Sequence, residues 1–136
     1  MGNVGATLPD GDFAVSLPFQ AESARTARTM VGRLLAAHQC PDQLVEDGRL
    51  VVHELVVNGI THGAPGRRGE IDVACRVLDE HVLISVLDQG RTGTVAIRPA
   101  SPHSSDGRGL AIVEALSDRW TVDRSEGTRV EAWLSR

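Results

Sequence analysis

The chain has 136 residues, of which 41% are hydrophobic and 24% charged, and its formal net charge is -4. These values predict one globular domain and give no electrostatic reason to expect nucleic-acid binding. No apolar run approaches the roughly 18 residues of a membrane span, and no secretion signal is apparent, so we expect a cytoplasmic protein. All 14 basic residues are arginine. A lysine-dependent P-loop and a Schiff-base nucleophile are therefore excluded.

The first part of the chain predicts a flexible segment, a strand and a helix. Residues 1–11 are rich in Gly, Asn, Pro and Asp and are expected to be poorly ordered, which places the domain at 12–136. Apolar side chains alternate over residues 13–17, the period of a half-buried strand. A helix is predicted over about 23–38, with Ser23 as its N-cap.

A second, longer helix is predicted to begin at a turn and N-cap formed by Pro41 and Asp42 and to stop at Gly63. Within it Glu54, Asn58 and His62 are four residues apart, so they follow one edge of the helix and are called the polar row below. A solvated stripe on a boundary helix would also explain this row. However, Asn58 and Gly59 are both poor helix formers, which indicates that another group approaches closely here.

The remainder of the chain predicts two hairpins separated by a loop and a helix. The first hairpin covers residues 71–87 and delivers Asp88 at its end. Residues 90–109 are rich in Gly, Ser, Pro and Thr and are expected to form a mobile loop. A short helix follows at 110–120, and the last hairpin turns at 126–127. Two hairpins indicate a largely antiparallel sheet with the helices packed on one face.

The polar row has the chemistry of a general base beside a ligand for a hard cation. A carboxylate and an amide oxygen at Glu54 and Asn58 suit proton transfer and Mg²⁺, respectively. A zinc protease helix is excluded, because the residue four positions after His53 is Val57 rather than a second histidine.

Two glycine-containing segments add features of a nucleotide site. Asp88 directly precedes a bend at Gly90 and Gly93, where a carboxylate can accept hydrogen bonds from an amine. Gly107 and Gly109 stand at the start of a helix, whose free amides and positive dipole end favour phosphate. Ordinary turn formation would also explain these glycines.

In this order, the segments ELVVNGITHG, DQGRTG, GRGLAIVEAL and EGTRVEAWL resemble the ATP-binding domain of the gyrase, histidine-kinase and MutL-type (GHKL) superfamily. The resemblance extends over about residues 13–134. It implies the Bergerat fold, an α/β two-layer sandwich of a mixed, largely antiparallel sheet with three helices on one face. It also implies ATP and Mg²⁺ as the ligands.

The resemblance further implies a role for each matching residue. Glu54 corresponds to the catalytic base, Asn58 to the Mg²⁺ ligand, and Arg108 is a candidate for stabilising charge at the γ-phosphate. Asp88 corresponds to the residue that reads adenine, and Thr128 to a contact with adenine through water. The full set of implied ATP-binding positions is Asn58, His62, Asp88, Gly90, Gly93, Gly107, Gly109, Leu110 and Thr128.

Within the superfamily, the small size is similar to that of the anti-sigma-factor serine kinases. That resemblance implies a protein that binds a sigma factor and phosphorylates a serine of an anti-sigma antagonist. It implies no direct nucleic-acid or membrane partner, and it leaves a homodimer open. An ATP-responsive protein-binding regulator without phosphoryl transfer is the alternative, and a fold kept only as an interaction surface is a third.

Two departures from the family pattern bear on phosphoryl transfer. Thr92 stands where the Asp-x-Gly-x-Gly pattern has its second glycine, and Gly93 follows one position later. These kinases also carry an arginine just before the glycines of the phosphate lid, where this chain has residues 104–106, Ser-Ser-Asp. Arg108 or Arg91 is expected to supply the missing positive charge if transfer takes place.

Overall fold

The computed structural model describes residues 6–7, 11–90 and 105–136, apart from the side chains of 6–7 and 105–109. These residues contain six strands and three helices. Their order is β1 (Ala6–Thr7), β2 (Phe13–Pro18), α1 (Glu22–Ala37), α2 (Asp42–His62), β3 (Glu70–Val77), β4 (His81–Asp88), α3 (Ser105–Leu116), β5 (Arg119–Asp123) and β6 (Thr128–Ser135).

The strands form one sheet in the order β1-β2-β3-β4-β6-β5, and the two predicted hairpins are confirmed as β3–β4 and β5–β6. Every pairing among the described strands is antiparallel, so the mixed character expected of the sheet is not found there. The physical reason lies in the connection through α3. Strands β4 and β5 run in the same direction, but β6 lies between them and pairs antiparallel with both.

The short strand β1 differs from the expectation of a poorly ordered N-terminal segment. Ala6 and Thr7 pair with Ala14 and Phe13 at the edge of the sheet. Two residues carry too little alternation to be recognised as a strand, which is why the sequence did not predict it.

The helices cover one face of the sheet, as predicted. On β3, buried and partly exposed residues alternate from Ile71 to Val77, and the same alternation holds along β2 and β6. The register aligns these buried positions across the sheet, for example Val73 opposite Val86 and Val86 opposite Val130. Together with the apolar stripes of α1 and α2, these side chains form one hydrophobic core.

The helix starts differ from the predictions in three places. Ser23 is not an N-cap: it lies inside α1, is buried, and donates its hydroxyl to the Pro18 carbonyl at 2.5 Å. Asp42 is the first residue of α2, and Pro41 occupies the N-cap position. Helix α3 begins at Ser105, inside the segment that was expected to be a loop. No helix in the described ranges is long and apolar enough to cross a membrane.

Candidate functional site

A buried carboxylate marks the end of the central strand β4. The side chain of Asp88 is only 6% exposed. Its Oδ1 accepts hydrogen bonds from the backbone N–H groups of Gly90, at 2.6 Å, and Ala64, at 3.3 Å. Leaving aside residues 91–104 and the side chains of 105–109, no hydrogen bond to its Oδ2 is found. Among the described atoms, one oxygen is therefore held by the backbone, and the other has no partner and can accept a hydrogen bond.

Burial raises the pKa of Asp88 above its usual range, because loss of solvent penalises the charged form. The hydrogen bonds from Gly90 and Ala64, and the positive charge of Arg124, lower the pKa and offset part of this effect. The carboxylate is therefore costly to keep ionised and has no ion-pair partner within 4 Å among the described residues. Groups with this combination of burial and incomplete pairing are common at functional sites.

Two glycines of α2 and its C-terminus leave room for Asp88. A Cβ atom at Gly63 would overlap the Asp88 carboxylate. At Gly59 a Cβ would lie 2.9 Å from Cδ1 of Ile71 and 3.4 Å from Oδ2 of Asp88. The close approach that the sequence indicated at Gly59 is therefore made by Ile71 and Asp88, and the end of α2 lies directly on the carboxylate.

Thr128 joins Asp88 from the neighbouring strand. The two residues are directly opposite each other in the β4–β6 ladder, and Thr128 is 5% exposed. Its hydroxyl donates to the carbonyl of Gly90 at 2.6 Å, while the N–H of Gly90 donates to Asp88. Gly127 precedes Thr128 with a φ of 107°, and a side chain there would overlap the Asp88 carbonyl. The predicted residues Asp88, Gly90 and Thr128 thus form one hydrogen-bonded cluster.

The polar row lies on the same helix that covers Asp88. Glu54 has a side chain that is 20% exposed, and its Oε2 lies 3.8 Å from Nε2 of His53. Asn58 is partly exposed one turn later, and His62 is exposed at the last residue of α2. Glu54 and Asn58 are therefore accessible from solvent, while Gly59 and Gly63 on the same helix contact Asp88.

The glycines predicted to bind phosphate lie at the start of α3. Gly107 is the third residue of this helix, within the first turn, where backbone N–H groups lack partners inside the helix, and Gly109 follows as the fifth. Leu110 follows with a side chain that is 3% exposed and belongs to the core, so only its backbone could contact a ligand. The side chain of Arg108 lies outside the described part of the chain, as do Gly93 and the rest of residues 91–104.

The described residues fit an amino-substituted ring such as adenine. The Oδ2 of Asp88, which has no hydrogen-bond partner among the described atoms, can accept from an exocyclic amine. Among the described residues, no group of three or more His, Cys, Asp or Glu that could hold a metal is found, so a Mg²⁺ ion here would depend on the ligand for most of its coordination. An amide oxygen at Asn58 would then be one of few protein ligands, which is usual for Mg²⁺ on a nucleotide.

The sequence did not predict the role of Gly63 and Ala64. Gly63 was recognised only as the end of α2, but it lies against Asp88, and Ala64 supplies one of the two amides that hold the carboxylate. The backbone carbonyl of Ala64 also accepts from the N–H of Gln89 at 2.8 Å. The signal for this contact is the glycine directly after the polar row.

Comparison with known proteins identifies the family to which the chain belongs. Residues 17–134 match the model of the histidine kinase-like ATPase domain. The chain is 22% identical to the anti-sigma F factor of Clostridium beijerinckii over 137 residues, which covers 95% of this chain and 96% of that protein.

A solved structure shares the fold. It is the crystal structure of the RsbU and RsbW domains of Rv1364c from Mycobacterium tuberculosis, with a TM-score of 0.70 and 25% sequence identity. The alignment covers 94% of the present chain but only 33% of that mycobacterial chain. The predicted α/β sandwich and the GHKL resemblance are thereby confirmed. Because the family model covers most of its length, the chain belongs to the histidine kinase-like ATPase domain family.

Proposed function

We propose that this domain binds ATP with Mg²⁺ and acts as an anti-sigma factor that phosphorylates a serine of an antagonist protein. The observation that carries the proposal is the position of the buried Asp88 carboxylate, with one oxygen held by backbone amides and the other without a partner among the described atoms. It lies under the helix that presents Glu54 and Asn58 to solvent. Similarity to the clostridial anti-sigma F factor supports the choice of protein partners.

Asp88 would recognise the nucleotide by its base. Its Oδ2 would accept a hydrogen bond from the amine of adenine, and the Thr128 hydroxyl, which donates to the Gly90 carbonyl on the neighbouring strand, can still accept a hydrogen bond from a water that bridges to the ring. Guanine carries a carbonyl oxygen where adenine carries its exocyclic amine. An acceptor in this position therefore favours ATP over GTP, because the GTP oxygen would leave the carboxylate unsatisfied.

Glu54 would act as the general base for the protein substrate. Its carboxylate accepts the proton of the serine hydroxyl as the serine oxygen bonds to the γ-phosphorus and the bond from that phosphorus to the bridging oxygen breaks, releasing ADP. Mg²⁺, with Asn58 among its ligands, supplies charge stabilisation for the transferring group. The N-terminal amides of α3 around Gly107 and Gly109 provide further hydrogen-bond donors for phosphate.

An ATP-responsive regulator without phosphoryl transfer is the second candidate. It is favoured by the threonine at residue 92 and by the absence of an arginine at residues 104–106. In this case nucleotide changes the affinity for a sigma factor, but the antagonist is not modified.

Calorimetric titration with ATP, with and without Mg²⁺, tests the nucleotide site. We expect binding to the wild-type chain, weaker binding to Asp88→Asn, and loss of the Mg²⁺ dependence in Asn58→Ala. Absence of binding to the wild type at about 1 mM ATP would reject the proposal and favour a pure interaction domain.

Mass spectrometry of a candidate antagonist after incubation with MgATP separates the two functions. Phosphoserine that disappears in Glu54→Gln, with ATP binding retained, supports the kinase. The matched control is Glu46→Gln, which makes the same change on the same helix at a side chain that is 67% exposed. Nucleotide-dependent binding of the sigma factor without phosphoserine supports the regulator.

A further inference from the structure

A groove runs between α1 and α2 on the side of these helices that faces away from the sheet. The short turn at residues 38–41 joins them as antiparallel neighbours, with Gly32 against Arg49: a Cβ at Gly32 would lie 3.1 Å from Cδ of that arginine. Because the helices run in opposite directions, a residue one turn earlier on α1 is next to a residue one turn later on α2. This relation places Arg28 opposite His53.

Two buried nitrogen atoms at this level of the groove lack a hydrogen-bond partner. They are Nε of Arg28 and Nδ1 of His53, and no other fully buried side-chain nitrogen or oxygen in the described part of the chain is unpaired. The other ring nitrogen of His53 lies 3.8 Å from Oε2 of Glu54. Nearly all buried polar groups in proteins have a partner, so two unpaired nitrogens from facing helices indicate a site for an acceptor.

The groove carries positive charge that is only weakly neutralised. Arg28 has no ion-pair partner within 4 Å among the described residues. Arg49 lies 3.7 Å from Glu46, but these side chains are 43% and 67% exposed, so solvent screens the pair. Both guanidinium groups can therefore still interact with an acidic partner.

Two apolar side chains border the same groove. Leu50 and Val57 are the exposed large hydrophobic residues in the described ranges. They are seven residues apart on the outer side of α2, which corresponds to two turns, or about 10.5 Å along the helix axis. The α1–α2 groove is defined here by Arg28, Gly32, Arg49, Leu50, His53 and Val57.

We propose that the α1–α2 groove binds a helix of a partner protein that combines acidic residues with apolar residues seven positions apart. The apolar residues would pack on Leu50 and Val57. A carboxylate of the same helix would accept a hydrogen bond from Nε of Arg28, since a guanidinium group matches a carboxylate in charge and geometry. The exposed apolar pair favours a protein over a nucleic acid as the occupant. The proposal does not rest on ATP binding or phosphoryl transfer.

NMR titration of the ¹⁵N-labelled chain with a peptide tests the groove. The probe is an alanine-based helical peptide of about 20 residues, with two leucines seven positions apart and glutamates beside them. We expect amide shifts along the facing sides of α1 and α2, around Gly32 and His53. A matched peptide with glutamine in place of every glutamate should bind at least about tenfold more weakly, because it lacks the acidic groups.

Arg28→Gln should weaken binding of the acidic peptide by at least about tenfold, because it removes the charge that faces the carboxylate. Leu50→Ser removes apolar contact area and should weaken it by a smaller factor, about fivefold. Arg67→Gln is the matched control, since it makes the same change at an exposed arginine on the turn between α2 and β3. It should leave the affinity for the peptide unchanged.

Circular dichroism establishes that each variant is folded. If Arg28→Gln does not fold, Arg28→Lys keeps the charge but loses the planar group, and it should weaken binding by a smaller factor. Absence of shifts in the groove, equal binding of the acidic and glutamine peptides, or wild-type affinity in the folded Arg28 variant would overturn the proposal.

Discussion

Two aspartates are buried at opposite ends of the sheet, and they are held differently. Asp12 is 4% exposed, and both of its oxygens have partners: Oδ1 accepts from the N–H of Val77 at 2.9 Å, and Oδ2 lies 3.4 Å from Nε of Arg76. Asp88 is buried almost as fully, but only its Oδ1 has partners among the described residues. A buried carboxylate that is fully paired holds the fold together, whereas one that is half paired is available to a ligand.

The largest expected effect comes from filling the space beside Asp88. Gly63→Ala places a methyl group on the carboxylate and should both destabilise the fold by about 1–3 kcal/mol and abolish ATP binding. The φ of Gly63 is -96°, which any residue can adopt, so the cost would come from the overlap alone. Denaturant unfolding measures it. The same substitution in an Asp88→Ala background should cost much less, and an equal cost would contradict this contact.

Asp88→Asn should weaken ATP binding without unfolding the protein. The new side chain can still accept the amides of Gly90 and Ala64, but it would present N–H donors where adenine requires an acceptor. We expect ATP affinity to fall by about ten- to a hundredfold while the fold is retained. Calorimetry and thermal unfolding on the same sample check both parts, and unchanged affinity would remove Asp88 from the site.

Asp12→Ala should lower the stability of the fold and leave ATP affinity unchanged. It removes the acceptor of the Val77 N–H and leaves that buried group without a partner, which costs about 1–3 kcal/mol. The lost ion pair adds little, since the Arg76 side chain is 55% exposed. Chemical denaturation should therefore show a less stable protein whose ATP affinity, measured well below the unfolding midpoint, equals that of the wild type.

The smallest effect concerns pH. Because folding raises the pKa of Asp88, its ionised form opposes folding, and this cost is absent below the unfolded pKa of about 4. The cost grows as the pH rises through the folded pKa and is constant above it. The melting temperature of Asp88→Asn should thus equal that of the wild type near pH 4 and exceed it at neutral pH. A difference that shrank with rising pH would contradict the direction of the shift.

Most of the strands and helices could be predicted from the spacing of apolar residues along the sequence. The predictions that were wrong have local causes. The hairpins were predicted because buried and exposed residues alternate along β3 and β6. The N-caps were wrong because Ser23 and Asp42 are suitable cap residues, but each lies inside its helix, and Ser23 bonds back to Pro18 instead. A serine side chain can cap a helix or bond to a nearby carbonyl, and the sequence alone does not show which of these hydrogen bonds forms.

The site was only partly predictable for a related reason. Asp88 and the polar row were found from their chemistry and spacing, but the amide of Ala64 is 24 positions away from Asp88. This contact depends on how the end of α2 meets the end of β4, which no local pattern encodes.

Helix α2 also sets the distance between Asp88 and Glu54. Gly63, the C-cap of the helix, lies against Asp88, and Glu54 is nine residues earlier. At 1.5 Å per residue these positions are about 13.5 Å apart along the helix axis. Under the proposed function, a nucleotide bound by its base at Asp88 must be long enough to bring its terminal phosphate near Glu54. AMP would then satisfy the base contact without reaching the Glu54 carboxylate, and this spacing would distinguish nucleotides by their number of phosphates.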